Sequence, residues 1–239
     1  MTTMLASDLS TPGLALTCNP NILNSLPPTV PDGMQPRPTA QQLIETENEI
    51  ARLWNDGQIN SLLHLAGSVD GAYEQWLVDF FNANIKPTDW VLCSHRAHFH
   101  FQLHDGTDLI EKILKGKSMF CYGPRFIQSA IVAGTCSIAA GLALAIQQRG
   151  GSERVWNFVG DGAEDHGHFA EAVRLAHGRK LPLTFIIEDN NSSCGVTKEQ
   201  RGSPDDWQWP DCVIRYRYTP KWPHAGTGQP MTLKSTVKP

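Results

Sequence analysis

Residues 155–195 read VWNFVGDGAEDHGHFAEAVRLAHGRKLPLTFIIEDNNSSCG. The apolar run Val155–Val159 ends in Gly160-Asp161-Gly162, and a helix-like segment follows from about Asp165 to His177. A second apolar run, Leu183–Ile187, ends in Glu188-Asp189-Asn190-Asn191. Strand, glycine turn, helix and strand make a βαβ unit with a right-handed crossover, so both strands point the same way. Asp161 and Asn190 should then emerge side by side at the carboxyl ends of the strands, where open α/β sheets bind ligands. A carboxylate, an amide oxygen and a neighbouring backbone carbonyl form a hard-oxygen set suited to Mg²⁺. Backbone N–H groups after Gly160-Asp161-Gly162, at a helix N-terminus, suit a phosphate. The stretch therefore reads as a magnesium–diphosphate site. An ordinary turn is the plain alternative for Asp161, and the matching Asn190 argues against it.

The rest of the chain is consistent with one α/β domain. It has 239 residues, 41% hydrophobic and 18% charged, which fits a folded chain with a substantial core rather than a disordered one. The net charge of −4 argues against binding nucleic acid through a basic surface. Six cysteines occur without a CxxC pair, several of them inside apolar segments, and read as reduced buried thiols. The longest apolar stretch, Ala130–Ile146, is interrupted by Gly134, Thr135, Ser137 and Gly141 and reads as a core helix rather than a membrane span. No basic segment followed by an apolar run opens the chain, so the expectation is a cytoplasmic protein without membrane or nucleic-acid partners.

Residues 1–38 carry seven prolines and read as an irregular arm, either loose or laid over a partner subunit. An α/β domain is expected over 39–205, with a late strand and extended tail over 206–239. Thr39 should cap a helix that runs to about Trp54. A second helix is expected over Tyr73–Asn84, a short strand over Trp90–Cys93, and a helix over Asp108–Leu114. Ser129–Gln148 reads as a helix of small residues, and Cys212–Tyr218 as a strand. Asp165 is expected to cap the helix after the glycine turn. His95, His98, His100 and His104 raise the question of zinc. On a strand, 98 and 100 share a face that 95 does not, and no recognisable ligand motif results. His166 and His168 beside Asp165 are read as the opening of a helix.

Gly160-Asp161-Gly162-Ala163 paired with Glu188-Asp189-Asn190 resembles the thiamine diphosphate signature. Together with Glu171-Ala172 and Lys180-Leu181-Pro182, it resembles the alpha subunit of the decarboxylating component of 2-oxo acid dehydrogenases. Upstream, Leu62-Leu63-His64-Leu65 and Ser94-His95-Arg96-Ala97-His98 are similar to that family's histidine and Tyr-Arg-Ala-His segments. Tyr216-Arg217-Tyr218, followed by His224, is similar to its late histidine loop. The sequence departs from the pattern at Gly67-Ser68-Val69-Asp70-Gly71, at Gly116–Phe120, and at His95, where tyrosine is usual. The chain also ends at Pro239, so the family's late helices are expected to be reduced.

The resemblance implies a three-layer α/β/α fold with a mainly parallel sheet, the thiamine diphosphate-binding fold with a single diphosphate-type domain. It implies Mg²⁺ ligated by Asp161, Asn190 and the Ser192 carbonyl. Gly160, Gly162 and Ala163 would lie along the diphosphate, with His95 and Arg96 beside it and Ile131 and Val132 against the rings. His64, His98 and His224 are the candidates for proton transfer. The implied enzyme decarboxylates a 2-oxo acid and passes on an acyl-type fragment. It does so only with a beta-type subunit that supplies the pyrimidine-binding domain and its glutamate, in an α2β2 assembly. A split transketolase-like carboligase and a non-catalytic partner-binding module are the alternatives.

Overall fold

The computed structural model describes residues 36–59, 61–105, 108–116, 119–203 and 207–229. Most of the arm expected over 1–38, and the end of the tail, lie outside them. The helices are α1 (Ala40–Asn55), α2 (Ala72–Asn84), α3 (His98–His104), α4 (Leu109–Gly116), α5 (Gly134–Gln148), α6 (Gly167–Arg179) and α7 (Lys198–Arg201). The strands are β1 (Trp90–Cys93), β2 (Phe126–Gln128), β3 (Val155–Gly160), β4 (Leu183–Asp189) and β5 (Val213–Arg217). All pair in parallel, in the order β2-β1-β3-β4-β5.

Each strand feeds two cores because successive side chains point to opposite faces. Val91, Cys93, Trp156, Phe158 and Ile186 pack with α1 to α4. Trp90, Leu92, Val155, Val159, Phe185 and Ile187 pack with α5 and α6. The result is the expected α/β/α sandwich, and both-face burial explains why β3 and β4 read as continuous apolar runs rather than alternating ones.

Several local expectations hold. Thr39 caps α1 in a capping box with Gln42, which satisfies donors that a helix start leaves open. The strand at Trp90–Cys93 is present with the expected ends.

Others do not hold, for identifiable reasons. The small-residue helix starts at Gly134 rather than Ser129: Ser129 Oγ accepts the Ile131 N–H at 3.2 Å, and Ala133 adopts a left-handed conformation at φ 56°. Asp165 does not cap α6. His166 holds that position, while Asp165 accepts bonds from Arg201 and Ser203. Residues 161–165 form a 3-10 turn instead. His98 and His100 lie on α3, not on a strand. The late strand expected over Cys212–Tyr218, by contrast, is present as β5 and pairs with β4 from Phe185↔Val213 to Asp189↔Arg217.

Residues at the edge of the arm are anchored. Arg37 donates to the carbonyls of Phe81 and Ile85 at 2.6 Å and of Leu103 at 3.0 Å, closing acceptors near the ends of two helices. The segment after β5 returns over the loop before α2. Val69 N–H donates to Thr219 (3.1 Å), Lys221 N–H to Gly67 (2.8 Å) and Gly226 N–H to Leu63 (2.8 Å). Buried carboxylates hold that loop from behind. Glu47 accepts from Gly67 N–H and Trp222 Nε1, and Glu74 accepts from Ser68 N–H. The five described cysteines Cys93, Cys121, Cys136, Cys194 and Cys212 are free thiols, as expected.

Two consequences are testable. Burial holds the His98 and His104 imidazoles down at about 4, so both stay neutral in the fold and gain protons on unfolding. Their stabilising contribution is complete above the ordinary histidine value near 6.5 and falls as pH drops towards 4, by on the order of a few kcal/mol. Denaturant midpoints followed from pH 7 to 4 should decline, with a shallower slope in His98→Leu. Separately, the turn after β3 packs tightly on the loop after β4. A Cβ at Gly162 would lie 2.1 Å from Ser193 Oγ. Gly162→Ala should cost about 1–3 kcal/mol, and adding Ser193→Gly should recover most of it in thermal melts.

Candidate active site

The register Gly160↔Glu188 between β3 and β4 sets the site. It brings Asp161, the first residue after β3, beside Asn190, the first after β4. Asp161 is 1% exposed. Its Oδ2 accepts from Arg201 Nη2 at 2.9 Å, while its Oδ1 is buried without a hydrogen-bond partner. Such an oxygen is costly to bury unless something positive meets it. The Asn190 amide oxygen accepts the Ser192 N–H at 3.1 Å, and Nδ2 reaches Tyr218 Oη at 3.5 Å. An amide oxygen has a second lone pair to offer. Asn191 and Cys194 both adopt left-handed backbone, and Ser193 pairs with Val196, so the loop folds tightly over the strand ends. This donor set fits a hard divalent cation.

Arg201 reaches Asp161 from α7, whose start is fixed by a Thr197–Gln200 capping box and whose end is Gly202 at φ 68°. The same guanidinium donates to Asp165 Oδ2 at 2.8 Å and to the Val196 carbonyl at 2.6 Å. Beneath the site, Glu188 accepts from Tyr73 Oη and lies 2.8 Å from His100 Nε2. Tyr73 stacks on Tyr218 with ring centroids 4.3 Å apart. Asp189 points elsewhere. Burial alone would raise its carboxyl, but Lys198 and Arg215 outweigh this and hold it below the usual range.

A cavity opens at these strand ends. His95, Arg96, Ile131, Val132 and His224 line it from one side, and Gly160, Gly162, Ala163, Asn190 and Ser192 from the other. The 3-10 turn of residues 161–165 begins at this wall, and the first N–H groups of such a turn have no intrahelical acceptor. Arg96 is largely committed: Nε donates to the Leu65 carbonyl at 3.0 Å and Nη2 to the His224 carbonyl at 2.9 Å. His64 sits at the edge, its ring 5.1 Å from that of His224. Burial and the Arg96 charge lower both imidazoles from their ordinary value.

Of the sequence-derived candidates, His95, Arg96, Ile131, Val132, Gly160, Gly162, Ala163, Asn190, Ser192 and His224 line the cavity, whereas Asp161, His64 and His98 do not. His98 is fully buried on α3 among core residues and does not line the cavity. Several liners were not singled out from sequence. Glu188 and Tyr218 stood inside quoted motifs, and their strand positions beside Asn190 were the available signal. Ser193 and Cys194 carried none. Arg201 escaped notice because its partners lie far away in the chain. No described helix is long and apolar enough to cross a membrane.

Comparison with known proteins points to one family. The profile of the dehydrogenase E1 component family matches residues 39–207. The chain is similar to the testis-specific mitochondrial form of the pyruvate dehydrogenase E1 component subunit alpha of Homo sapiens. That relative is 34% identical over 137 residues, covering 52% of this chain and 35% of the relative. The mitochondrial subunit alpha of Sminthopsis macroura is 27% identical over 208 residues, covering 80% of this chain and 56% of the relative. The subunit alpha of Staphylococcus aureus is 29% identical over 123 residues, covering 49% and 33% respectively. The chain therefore spans between a third and little more than half of the length of these relatives. The expectation of a cytoplasmic protein does not survive: the Homo sapiens and Sminthopsis macroura relatives are both named as mitochondrial. With the family profile matching most of the chain, the protein belongs to the dehydrogenase E1 component family.

Proposed function

We propose that this chain is the alpha-type subunit of a thiamine diphosphate- and Mg²⁺-dependent enzyme that decarboxylates a 2-oxo acid. The observation that carries the reading is the buried, unpartnered Asp161 Oδ1 beside Asn190 at the ends of adjacent parallel strands. Membership of the E1 family supports decarboxylation over the ketol-transfer and binding-module alternatives. The names of the relatives, subunits alpha of a pyruvate dehydrogenase component, support a 2-oxo acid as substrate and a beta-type partner.

In this reading Asp161, Asn190 and the Ser192 carbonyl hold Mg²⁺. The backbone of Gly160, Gly162 and Ala163 holds the diphosphate. Arg201 keeps Asp161 Oδ2 occupied, which fixes the carboxylate and directs Oδ1 to the metal. Arg96 and His95 flank the diphosphate, and Ile131 and Val132 offer apolar surface to the rings. When bound, the cofactor supplies the electron sink for loss of carbon dioxide from the 2-oxo acid. His64 and His224, whose imidazoles are lowered by burial and by Arg96, are the groups that accept or return protons at the cavity edge. His98 has no part in this, because it lies off the cavity. The carboxylate facing the cofactor's pyrimidine belongs to the beta-type subunit, in an α2β2 assembly, and the acyl-type fragment passes on from there.

The test is a thermal shift on the complex purified with its beta-type partner. Thiamine diphosphate with Mg²⁺ at about 100 times the dissociation constant should stabilise it by about 2.7 kcal/mol. Asp161→Ala should abolish that shift without dissolving the complex. A wild-type complex that shows no shift at saturating cofactor would overturn the reading.

A further inference from the structure

Three imidazoles that lie far apart in the chain meet at the cavity edge. His64 comes from the loop before α2, His95 follows β1, and His224 sits on the segment after β5. One ring nitrogen from each lies within 4.8 Å of the other two. The ring centroids of His64 and His95 are 4.4 Å apart, and those of His95 and His224 are 5.8 Å apart. All three are partly buried.

The arrangement has features expected of a metal-ligating set. His64 Nδ1 lies 2.8 Å from the His224 carbonyl, which can only accept. That fixes the proton on Nδ1 and leaves Nε2 as the lone-pair nitrogen. A backbone carbonyl holding the second ring nitrogen is the usual support of a ligating histidine. His224 Nδ1 is buried without a hydrogen-bond partner. Burial and Arg96 lower all three imidazoles from their ordinary value, which favours the neutral form that ligates. Arg96 Nη1 lies 3.5 Å from His95 Nε2 and can only donate to it, so an ion at His95 displaces that contact or takes Nδ1. An all-imidazole donor set favours ions that bind imidazole strongly, such as Zn²⁺ and Cu²⁺, over Mg²⁺.

We propose that His64, His95 and His224 form a binding site for a divalent transition-metal ion of the Zn²⁺ class, distinct in ligand chemistry from the oxygen set around Asp161. Three protein ligands leave a fourth position open to the cavity. An ion there clips the segment carrying His224 to the end of β1 and to the loop before α2. It also occupies nitrogens that would otherwise move protons, so it acts as an inhibitor of any chemistry that uses them. The proposal does not depend on the cofactor reading.

The test uses the full chain without thiamine diphosphate, at about pH 7.5 where free histidine is neutral, with Co²⁺ as the spectroscopic probe. One equivalent should bind with the strong visible absorption of a low-coordinate cobalt ion, and Zn²⁺ should displace it and raise the melting temperature. His95→Tyr and His224→Gln should each weaken Co²⁺ binding by more than about tenfold, the loss that removing even an outer-shell support can cause. Metal-free circular dichroism checks their folding. If His95→Tyr does not fold, His224→Gln decides alone, since it lies in an irregular segment. An unchanged cobalt spectrum in the folded variants overturns the proposal. So does a spectrum lost in Asp161→Asn, which puts the ion among the oxygens. A spectrum lost in His177→Ala also overturns it, because the ion is then at the surface group His177, Asp211 and Cys212.

Discussion

Asp161 is almost wholly buried, with one oxygen tied to Arg201 and the other facing no partner. A carboxylate in that position is tolerated only if the surrounding structure is built to compensate it. Much of the local architecture does so. The capping box at Thr197 starts a helix of one turn whose last residue is Arg201, and the guanidinium binds Asp161 and Asp165 together. Asp165 is thereby withdrawn from the start of α6, which begins at Gly167 after a 3-10 turn. The placement of the helix and the chemistry of the carboxylate are one arrangement.

The sheet carries that arrangement because both of its faces are covered. Apolar side chains alternate between the α1–α4 layer and the α5–α6 layer, so a slip of one residue in β3 or β4 would exchange the two cores. The register that pairs Gly160 with Glu188 is therefore held by dozens of buried groups rather than by the site itself. Behind it, Glu188 joins Tyr73 and His100, and Tyr73 stacks on Tyr218, linking the cavity floor to the far layer.

What the sequence made legible was local. The apolar runs at Val155 and Leu183, broken by a glycine turn and an Asp-Asn-Asn run, disclosed the two central strands and the adjacency of Asp161 and Asn190. Thr39 followed by Gln42 disclosed a helix start. What stayed hidden was non-local or conformational. Asp165 looked like a cap because its neighbours permit one, and only the fold brings Arg201 to it. Ser129–Ala133 has helical composition, but the Ser129 hydroxyl and a left-handed Ala133 divert it into a turn. His98 shares a short motif with Arg96, yet as the first residue of α3 it is buried in the core. No spacing rule joins residues 64, 95 and 224, because the loop before α2 and the segment after β5 meet only through tertiary backbone bonds.

The His224 carbonyl accepts from two donors at once, His64 Nδ1 at 2.8 Å and Arg96 Nη2 at 2.9 Å. A single backbone group thus serves as a common anchor for an imidazole and a guanidinium from different parts of the chain. Its segment cannot drift away gradually, because the two bonds share one oxygen and are lost in the same displacement. Releasing it would expose His64 and free Arg96 Nη2 in one event, while Arg96 Nε stays on the Leu65 carbonyl, so the accessibility of the cavity edge and one anchor of its positive charge change together.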